Sequence, residues 1–369
     1  MQMENRIKFG RFEAITLIIN LVCTKLFLYY SRMTVEDAAN AGWLSAIVSS
    51  LTALIMLIII LSLYKKFDDK DILDISEIAG GRFLKVVIGA IITVGLFFLT
   101  VIVIREFSED MKVVSLPVSP LSYVMFFFII GIAVACFFGL EALLRYHAII
   151  IPVIAAGYIL ILLGVFSRID VSNLTPILGS GTEDIVVKGV LRSSVYSELV
   201  VLFLLPPFLG GFKKVKTVGY ISFAFCAFFL ISGSLVYIMA IPYPSSLEPF
   251  LPIYNMTRMI GFGRFFQRIE AIFVFIWAMA ALMYLTSSFY FMVYTFAKTA
   301  GLKHIRPLVL PFAVMVFSAA FIPESLTAVI WIEADYITNA GWLVSFAFII
   351  LILAAASVRK RTRKEKCSK

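Results

Sequence analysis

Long apolar runs separated by short polar stretches repeat along the whole chain. Ten of these runs approach or exceed the roughly 20 residues that an α-helix needs to cross a bilayer. A helix satisfies its own backbone hydrogen bonds, which lipid cannot do. The pattern therefore predicts an all-α integral membrane protein with ten transmembrane helices. The predicted spans cover residues 12–31, 42–64, 83–104, 119–138, 143–166, 191–210, 215–241, 266–296, 307–322 and 336–357.

Composition favours one membrane domain. Of 369 residues, 61% are hydrophobic and only 15% are charged, and the mean hydropathy is +0.99, which is far from the composition of a soluble domain. No polar stretch exceeds about 25 residues, so we expect residues 1–369 to form a single transmembrane domain. The charged N-terminal tail, residues 1–11, precedes an apolar run that lacks a small-residue cleavage site, which predicts a retained first helix.

The net charge of +9 is concentrated in one set of loops. Because basic loops stay in the cytoplasm, this asymmetry predicts both termini there and an even number of spans. The basic C-terminal tail then fits anionic membrane lipid, and we expect no nucleic-acid partner. The basic clusters lie at residues 6–11, 65–85, 213–216, 298–306 and 358–369.

One apolar run, Leu191–Gly211, combines an acid with a helix break. Glu198 lies near its middle, and Pro206 and Pro207 remove backbone hydrogen bonds a few residues later. Lipid tolerates such features only where protein or a water-filled cavity surrounds them. The run is therefore a candidate binding site of the kind that transporters build from broken helices. A proline kink beside an interfacial acid is the alternative.

Lys25 lies inside the first span, about 13 residues from its inner end. At ~1.5 Å per residue it would sit ~20 Å into a ~30 Å core, a depth similar to that of Glu198. Since an unpaired lysine is costly there, we expect Lys25 and Glu198 to face one cavity. Three interpretations stay open. They are a structural salt bridge, a Lys25 that meets a ligand carboxylate or replaces a coupling cation, and a Lys25 that snorkels to the outer interface.

Most other charged and small residues have a structural interpretation. Arg105 and Glu106 should close the third span near the outer surface, and Glu141 and Arg145 should pair one helical turn apart. A short amphipathic helix is expected just before the third span, around residues 72–78. Acids of the outer loops, among them Asp37, Glu109, Asp110 and Glu333, are expected to be solvated. Glycines within the spans should allow close helix packing; they include Gly89, Gly95, Gly131, Gly157 and Gly164.

The sequence carries no signature of an enzyme or a metal site. It has no Walker loop, HExxH or GxSxG, and no dinucleotide-binding glycine loop in a strand–helix context. The four cysteines and two histidines show neither a disulfide framework nor metal-ligand spacing. We therefore expect a protein that is not an enzyme and that uses no metal or cofactor.

Several short motifs follow one another along the chain: Gly42-Trp43, Gly139-Leu-Glu141 with Arg145, Asn173-Leu-Thr-Pro176, Tyr243-Pro244, and Arg268-Ile-Glu270-Ala followed by Trp277. In this order they resemble the B subunits of spore germinant receptors, the GerAB-like family. The resemblance covers nearly the whole chain, and the Gly-x-Glu…Arg and Arg-x-Glu-Ala…Trp runs carry most of it. It implies membership of the amino acid–polyamine–organocation superfamily and a LeuT-like fold of five plus five helices in an inverted repeat.

This resemblance also implies a function, a location and a site. Family members sense small germinants, typically amino acids, in the inner membrane of the dormant spore, together with an A and a C subunit. The pocket would lie at unwound parts of helices one and six, and helices three and eight would close it. Helix position assigns this ligand-binding pocket to Cys23, Thr24, Lys25, Leu96, Thr100, Ser197, Glu198, Leu202, Ala281 and Met283, with the helix break at Pro206 and Pro207.

The first span departs from the family pattern. Relatives usually have glycine or another small residue at the break in helix one, whereas no glycine or proline occurs from Phe12 to Ala41. A continuous helix one, with Lys25 filling ligand space, is therefore an open possibility. Two further functions stay open as well. One is a proton-linked amino-acid permease that uses Lys25 or Glu198, and the other is a scaffold subunit that senses nothing.

Overall fold

The computed structural model describes residues 9–261, 269–333 and 341–367. Within these residues the fold is helical and contains no strand, and ten helical segments follow the order of the predicted spans. Segment 1 comprises Arg11–Cys23, Thr24–Phe27 and Tyr30–Ala38; segments 2 to 5 are Gly42–Tyr64, Ile72–Val114, Leu121–Phe138 and Leu140–Gly164. Segment 6 comprises Thr182–Leu191, Arg192–Leu204 and Pro206–Leu209; segments 7 to 9 are Phe212–Ala240, Ile269–Ala300 and Arg306–Ala319. Segment 10 comprises Leu326–Ile332, Leu343–Ala347 and Phe348–Cys367. The connections contain short helices at Ala39–Ala41, Phe166–Arg168, Val171–Leu174, Ser245–Leu247 and Pro252–Arg258.

Length and hydropathy identify a multi-pass integral membrane protein. Among the described residues, six helices are long and apolar enough to cross a membrane, and segment 9 is a shorter apolar helix. The broken segments supply further crossings in pieces. Between a quarter and two thirds of the most apolar stretch of each long helix is buried inside the bundle, so the remaining apolar surface faces outward, as a lipid environment requires.

Segment 1 is interrupted in its middle. The α-helix ends at Cys23, a 3₁₀ turn covers Thr24–Phe27, and Leu28 leaves the helical region with φ −95° and ψ −124° before the chain turns helical again at Tyr30. A continuous helix one is therefore ruled out. The interruption occurs without glycine or proline, and the side chain of Lys25 within the turn bonds to segment 6.

Segment 6 is interrupted over a longer stretch. Arg192–Leu204 forms thirteen residues of 3₁₀ helix, although such runs rarely exceed about four residues. Pro206 and Pro207 then occupy the first turn of a short α-helix. The N–H groups of a first turn have no acceptor within the helix, so proline, which lacks this N–H, loses no hydrogen bond there. The irregular backbone thus precedes the two prolines at which the sequence predicts the break, and Gly210 in the left-handed region ends the segment.

Small residues bring segments close together at most of the predicted positions. A Cβ at Gly89 would lie 1.9 Å from Thr299 Oγ1, so segments 3 and 8 touch there. A Cβ at Gly131, Gly157 or Gly164 would come within 3.2, 2.9 and 2.8 Å of a neighbouring side chain. Gly95 has nothing within 4 Å of such a Cβ, so the packing prediction is wrong for that residue.

Segment 3 extends well beyond its predicted limits. It begins at Ile72 with the expected amphipathic turns, changes direction at Gly81 (φ 75°), and continues to Val114. Arg105, Glu106 and Asp110 consequently lie within the bundle, only 5%, 2% and 3% exposed. The prediction that they meet the outer surface or are solvated is wrong, because the apolar run ends ten residues before the helix does.

Three contacts place several connections on one face of the bundle. Lys298 Nζ at the end of segment 8 pairs with Asp71 Oδ2 at 2.7 Å, beside the start of segment 3. Arg359 Nη1 donates to Ala79 O at 2.9 Å, and Lys360 Nζ donates to Lys66 O at 2.6 Å. This is the face where the sequence predicts the cytoplasm. Burial raises the pKa of Asp71 from 3.8 to about 6, with Lys298 opposing that rise.

Candidate functional site

Lys25 and Glu198 form a buried ion pair between the two interrupted segments. Lys25 Nζ lies 2.8 Å from Glu198 Oε1, and the two side chains are 7% and 0% exposed. The ammonium also donates to Glu198 Oε2 at 2.8 Å and to Val195 O at 3.3 Å. Each interruption thus contributes one charge, and the bond to Val195 O ties Lys25 to the backbone of segment 6. Snorkelling of Lys25 to the interface is excluded.

The carboxylate of Glu198 has hydrogen-bond donors besides Lys25. Tyr284 of segment 8 donates its hydroxyl to Glu198 Oε1 at 3.1 Å, and the Ser197 hydroxyl donates to Oε2 at 3.1 Å. Lys25 Nζ lies 3.5 Å from the same Ser197 Oγ. Both partners of the pair are therefore satisfied by protein groups, which is what a buried charge requires.

A second ion pair connects the same two segments. Arg192 at the start of the 3₁₀ stretch donates from Nε to Asp37 Oδ2 at 2.5 Å and from Nη2 to Asp37 Oδ1 at 2.9 Å. This two-pronged geometry is the strongest arrangement of an arginine and a carboxylate. It also explains why Asp37 is only 6% exposed and not solvated as predicted. In these two ion pairs each segment contributes one cation and one acid: segment 1 supplies Lys25 and Asp37, and segment 6 supplies Glu198 and Arg192.

A small cavity of about 20 Å³, here called the polar chamber, lies between the two ion pairs. Arg192, one of its lining residues, has a buried Nη1 without an acceptor among the described residues. Buried donors rarely remain unpaired, so this nitrogen points to a ligand group that accepts hydrogen bonds. The chamber is lined by Lys25, Tyr29, Tyr30, Met33, Arg192, Ser194, Val195 and Glu333.

A second small cavity of about 30 Å³, here called the apolar cavity, lies beside the interruption of segment 1. Two of its lining residues are hydrogen-bonded to each other: Asn20 of segment 1 donates from Nδ2 to Ala280 O of segment 8 at 3.1 Å. Most of the remaining lining is aliphatic or aromatic. The lining residues are Ile19, Asn20, Cys23, Thr24, Leu26, Phe27, Ile151, Ile154, Ala155, Tyr158, Phe229 and Ala280.

The structure brings together some of the predicted site residues and separates others. Lys25, Ser197 and Glu198 meet at the ion pair, while Cys23 and Thr24 line the apolar cavity. Thr100 bonds to Ser288 Oγ at 2.8 Å and to Leu96 O, which ties segment 3 to segment 8. Five of the predicted residues are buried but line neither cavity: Leu96, Thr100, Leu202, Ala281 and Met283.

Sequence reasoning missed several residues of the two ion pairs, of their hydrogen-bond partners and of the chamber. Tyr284 gave no signal beyond being a tyrosine in an apolar run. Arg192 and Asp37 had charges of opposite sign near the ends of spans one and six, which was a usable signal. Glu333 was assigned to a loop, yet it is 8% exposed and lines the chamber.

Interrupted first and sixth segments that meet at buried charges define a transporter-like membrane protein of the LeuT fold. The structure is similar to MhsT in complex with L-phenylalanine, with a TM-score of 0.69 and 14% identity over 94% of this chain and 89% of that one. It is also similar to a Na⁺-coupled sialic acid symporter in a substrate-bound outward-open state, with a TM-score of 0.67 and 11% identity over 94% and 80% of the two chains.

The family is shown by the sequence itself. The model of the family described as "Spore germination protein" matches residues 8–329, so the chain belongs to the spore germination protein family. Spore germination protein A2 of Bacillus subtilis (strain 168) is 22% identical over 374 residues, which cover 98% of this chain and 100% of the relative. The expected family and fold are thus confirmed, and the relatives are germination proteins and symporters, not enzymes.

Proposed function

We propose that this chain is the ligand-sensing B subunit of a spore germinant receptor and that its ligand is a small amino acid bound in the polar chamber. The ligand carboxylate meets Arg192, and its ammonium meets Glu333. The chamber as it stands has room for about one water molecule, so the ligand binds a wider arrangement of segments 1 and 6, and the partner subunits respond to that change.

The unpartnered Arg192 Nη1 is the observation that carries this proposal. Asp37 occupies the Nε and Nη2 of this guanidinium, whereas the buried Nη1 has no acceptor in the part of the chain that the structure describes. Lys25 is less suited to hold a ligand, because Val195, Ser197 and Glu198 already accept from its ammonium. Family membership supports a role in germination, and the L-phenylalanine bound by MhsT supports an amino acid as ligand for this fold.

The proposed setting follows from the family and the charge pattern. The chain is a single membrane domain in the inner membrane of the spore, with its N-tail (1–11) and its basic C-tail (358–369) in the cytoplasm. There it assembles with the A and C subunits of the receptor. The C-terminal helix continues into this tail as far as Cys367, so the start of the tail is an extension of segment 10.

The test is a dose–response measurement in spores that carry Arg192→Lys in place of the native chain. Lysine keeps the positive charge beside Asp37 but cannot reach the ligand through a second nitrogen. A hydrogen bond to a charged group contributes about 1.5–3 kcal/mol, so we expect the half-maximal amino-acid concentration to rise about tenfold to a hundredfold. The maximal rate of germination should stay the same, because the change affects binding.

Arg145→Lys is the matched control, since Arg145 is an exposed arginine that pairs only with Glu141 one turn away. It should leave the response curve unchanged. Immunoblots of spore membranes would establish equal abundance of each variant. An Arg192→Lys curve that superimposes on the native one at equal abundance would contradict the proposed binding mode. If Glu333→Gln also leaves the curve unchanged, the scaffold alternative is favoured.

Transport is the second candidate, and the likeness to symporters is the observation that favours it. Uptake of labelled amino acids by cells that express the chain alone distinguishes the two functions. Uptake that saturates and is weakened by Arg192→Lys would identify a permease. Lack of uptake, together with a germination response that requires Arg192, would identify a sensor.

A further inference from the structure

A buried carboxyl group in segment 3 remains outside the ligand site. Glu106 is 2% exposed, and its buried Oε2 accepts no hydrogen bond from a hydroxyl, amide or cationic group of the described residues. No ion pair involves Glu106 among the described residues. The neighbouring Arg105 is engaged elsewhere, with Glu109 Oε1 at 3.0 Å and with Ala320 O at 3.1 Å. Glu106 is therefore an acid in the membrane region without a cation beside it.

Glu106 is instead hydrogen-bonded to a second acid. Its side chain bonds with that of Glu333 in segment 10. An ionised carboxylate only accepts hydrogen bonds, and a protonated one can donate. A bond between the two groups therefore requires a proton on one of them. The pair then carries one negative charge, as in other sites where adjacent carboxyls cannot both ionise.

The surrounding titratable and charged groups come from segment 3 itself and from segments 1, 6 and 8. Asp110 lies one turn further along segment 3 and is 3% exposed, and Glu109 on the same helix is held by Arg105. Segment 8 presents Tyr284, whose hydroxyl bonds to Glu198 of segment 6. Lys25 of segment 1 and Arg192 of segment 6 line the polar chamber together with Glu333. Both of these cations are engaged by their own acids, Glu198 and Asp37.

We propose that Glu106 and Glu333 hold one shared proton and form a proton-binding site that connects segment 3 to segment 10 beside the polar chamber. When the proton leaves, two adjacent carboxylates repel each other in a site of low dielectric constant, and segments 3 and 10 separate. Glu333 faces the chamber, so the proton reaches or leaves the pair from that side. The site does not depend on which ligand the chamber binds, or on whether it binds one.

Infrared difference spectroscopy of the purified full-length chain in lipid tests this site directly, with the proton as the only probe. A protonated carboxyl group has a C=O band that an ionised one lacks, and the band shifts in D₂O. We expect this band at neutral pH in the native chain and its disappearance at high pH. Glu106→Gln and Glu333→Gln should each lower its intensity, because the remaining glutamate ionises and accepts a bond from the glutamine amide.

Glu141→Gln is the control, since Glu141 is exposed and bound only to Arg145, and it should keep the full band. The double variant Glu106→Gln/Glu333→Gln retains a hydrogen bond between two amides, so it should fold, and circular dichroism would verify its helix content. Its infrared spectrum should lack the part of the C=O band that the carboxyl pair contributes. Absence of the band in the native chain at neutral pH, or an undiminished band in either single variant, overturns the proposal.

Discussion

Replacing Lys25 with methionine is the most direct test of the two interrupted segments as a unit. Methionine keeps the length and the apolar stem of lysine but removes the ammonium. Glu198, which has no exposed surface, would then keep only the hydroxyls of Tyr284 and Ser197 as donors, each at 3.1 Å. We expect a marked loss in the free energy of unfolding, because an acid is left buried without its cation.

The size of this loss has two bounds. Removing one partner of a buried ion pair typically costs about 3–5 kcal/mol. The carboxyl can escape by taking up a proton, which for an ordinary glutamate in water at pH 7 costs about 3.7 kcal/mol at about 1.36 kcal/mol per pH unit. We therefore expect Lys25→Met to lose about 3–4 kcal/mol at pH 7. The loss should shrink by about 1.4 kcal/mol for each unit by which the pH is lowered towards 5.

The assay is reversible unfolding of the purified chain in mixed micelles, measured for the single variants Lys25→Met and Glu198→Gln and for the double variant. Two neutral side chains can replace a buried ion pair at little cost, so the double variant should recover at least about 2 kcal/mol relative to the sum of the single changes. The exposed pair of Glu141 and Arg145 is the matched control. Glu141→Gln with Arg145→Met should change the free energy of unfolding by at most about 0.5 kcal/mol.

A decrease of less than about 1 kcal/mol in the free energy of unfolding of Lys25→Met would contradict this prediction, since removing one partner of a buried ion pair costs more than that. It also fails if the loss does not depend on pH, because a protonating Glu198 is the only escape that the contacts offer. Additive single changes would show that the 2.8 Å contact contributes no coupling between the segments.

Two further predictions concern the packing and the pH response of the bundle. Gly89→Ala should lose about 1–3 kcal/mol by overpacking against Thr299, whereas Gly95→Ala, with open space around it, should be neutral or slightly stabilising; unfolding of both variants checks this. Burial raises the pKa of Asp71 from 3.8 to about 6, so the folded chain binds its proton more tightly than the unfolded chain. The contribution of Asp71 to the free energy of unfolding is therefore fully present below about pH 4 and is lost as the pH rises through about 6. Asp71→Asn should remove this pH dependence, which thermal unfolding measured between pH 4 and 7 would check.

The order of the spans could be predicted because each depends on local hydropathy. Segment 2 begins and ends at the predicted residues, Gly42 and Tyr64. Segment 3 shows the limit of the same signal. Its last turns contain Arg105, Glu106 and Asp110, which lower the hydropathy although the helix continues, since tertiary contacts bury these residues.

The candidate site was partly predictable for a related reason. A charge deep in an apolar run is conspicuous, and two such charges at similar depth indicated the pair of Lys25 and Glu198. The pair of Asp37 and Arg192 was hidden because both residues lie near span ends, where a charge is unremarkable in a sequence. Leu96, Leu202 and Met283 were chosen from helix position alone, which carries no information on which side of a helix faces a cavity.

The bend in the first segment occurs without a glycine or a proline between Phe12 and Ala41. As one straight helix, residues 11–38 would measure about 42 Å at ~1.5 Å per residue. Two ion pairs, Lys25 with Glu198 and Arg192 with Asp37, connect the bent segment to segment 6. A molecule or proton that competes for Glu198 would remove one of these connections, and we expect the residues between the bend and Ala38 to shift relative to segment 6.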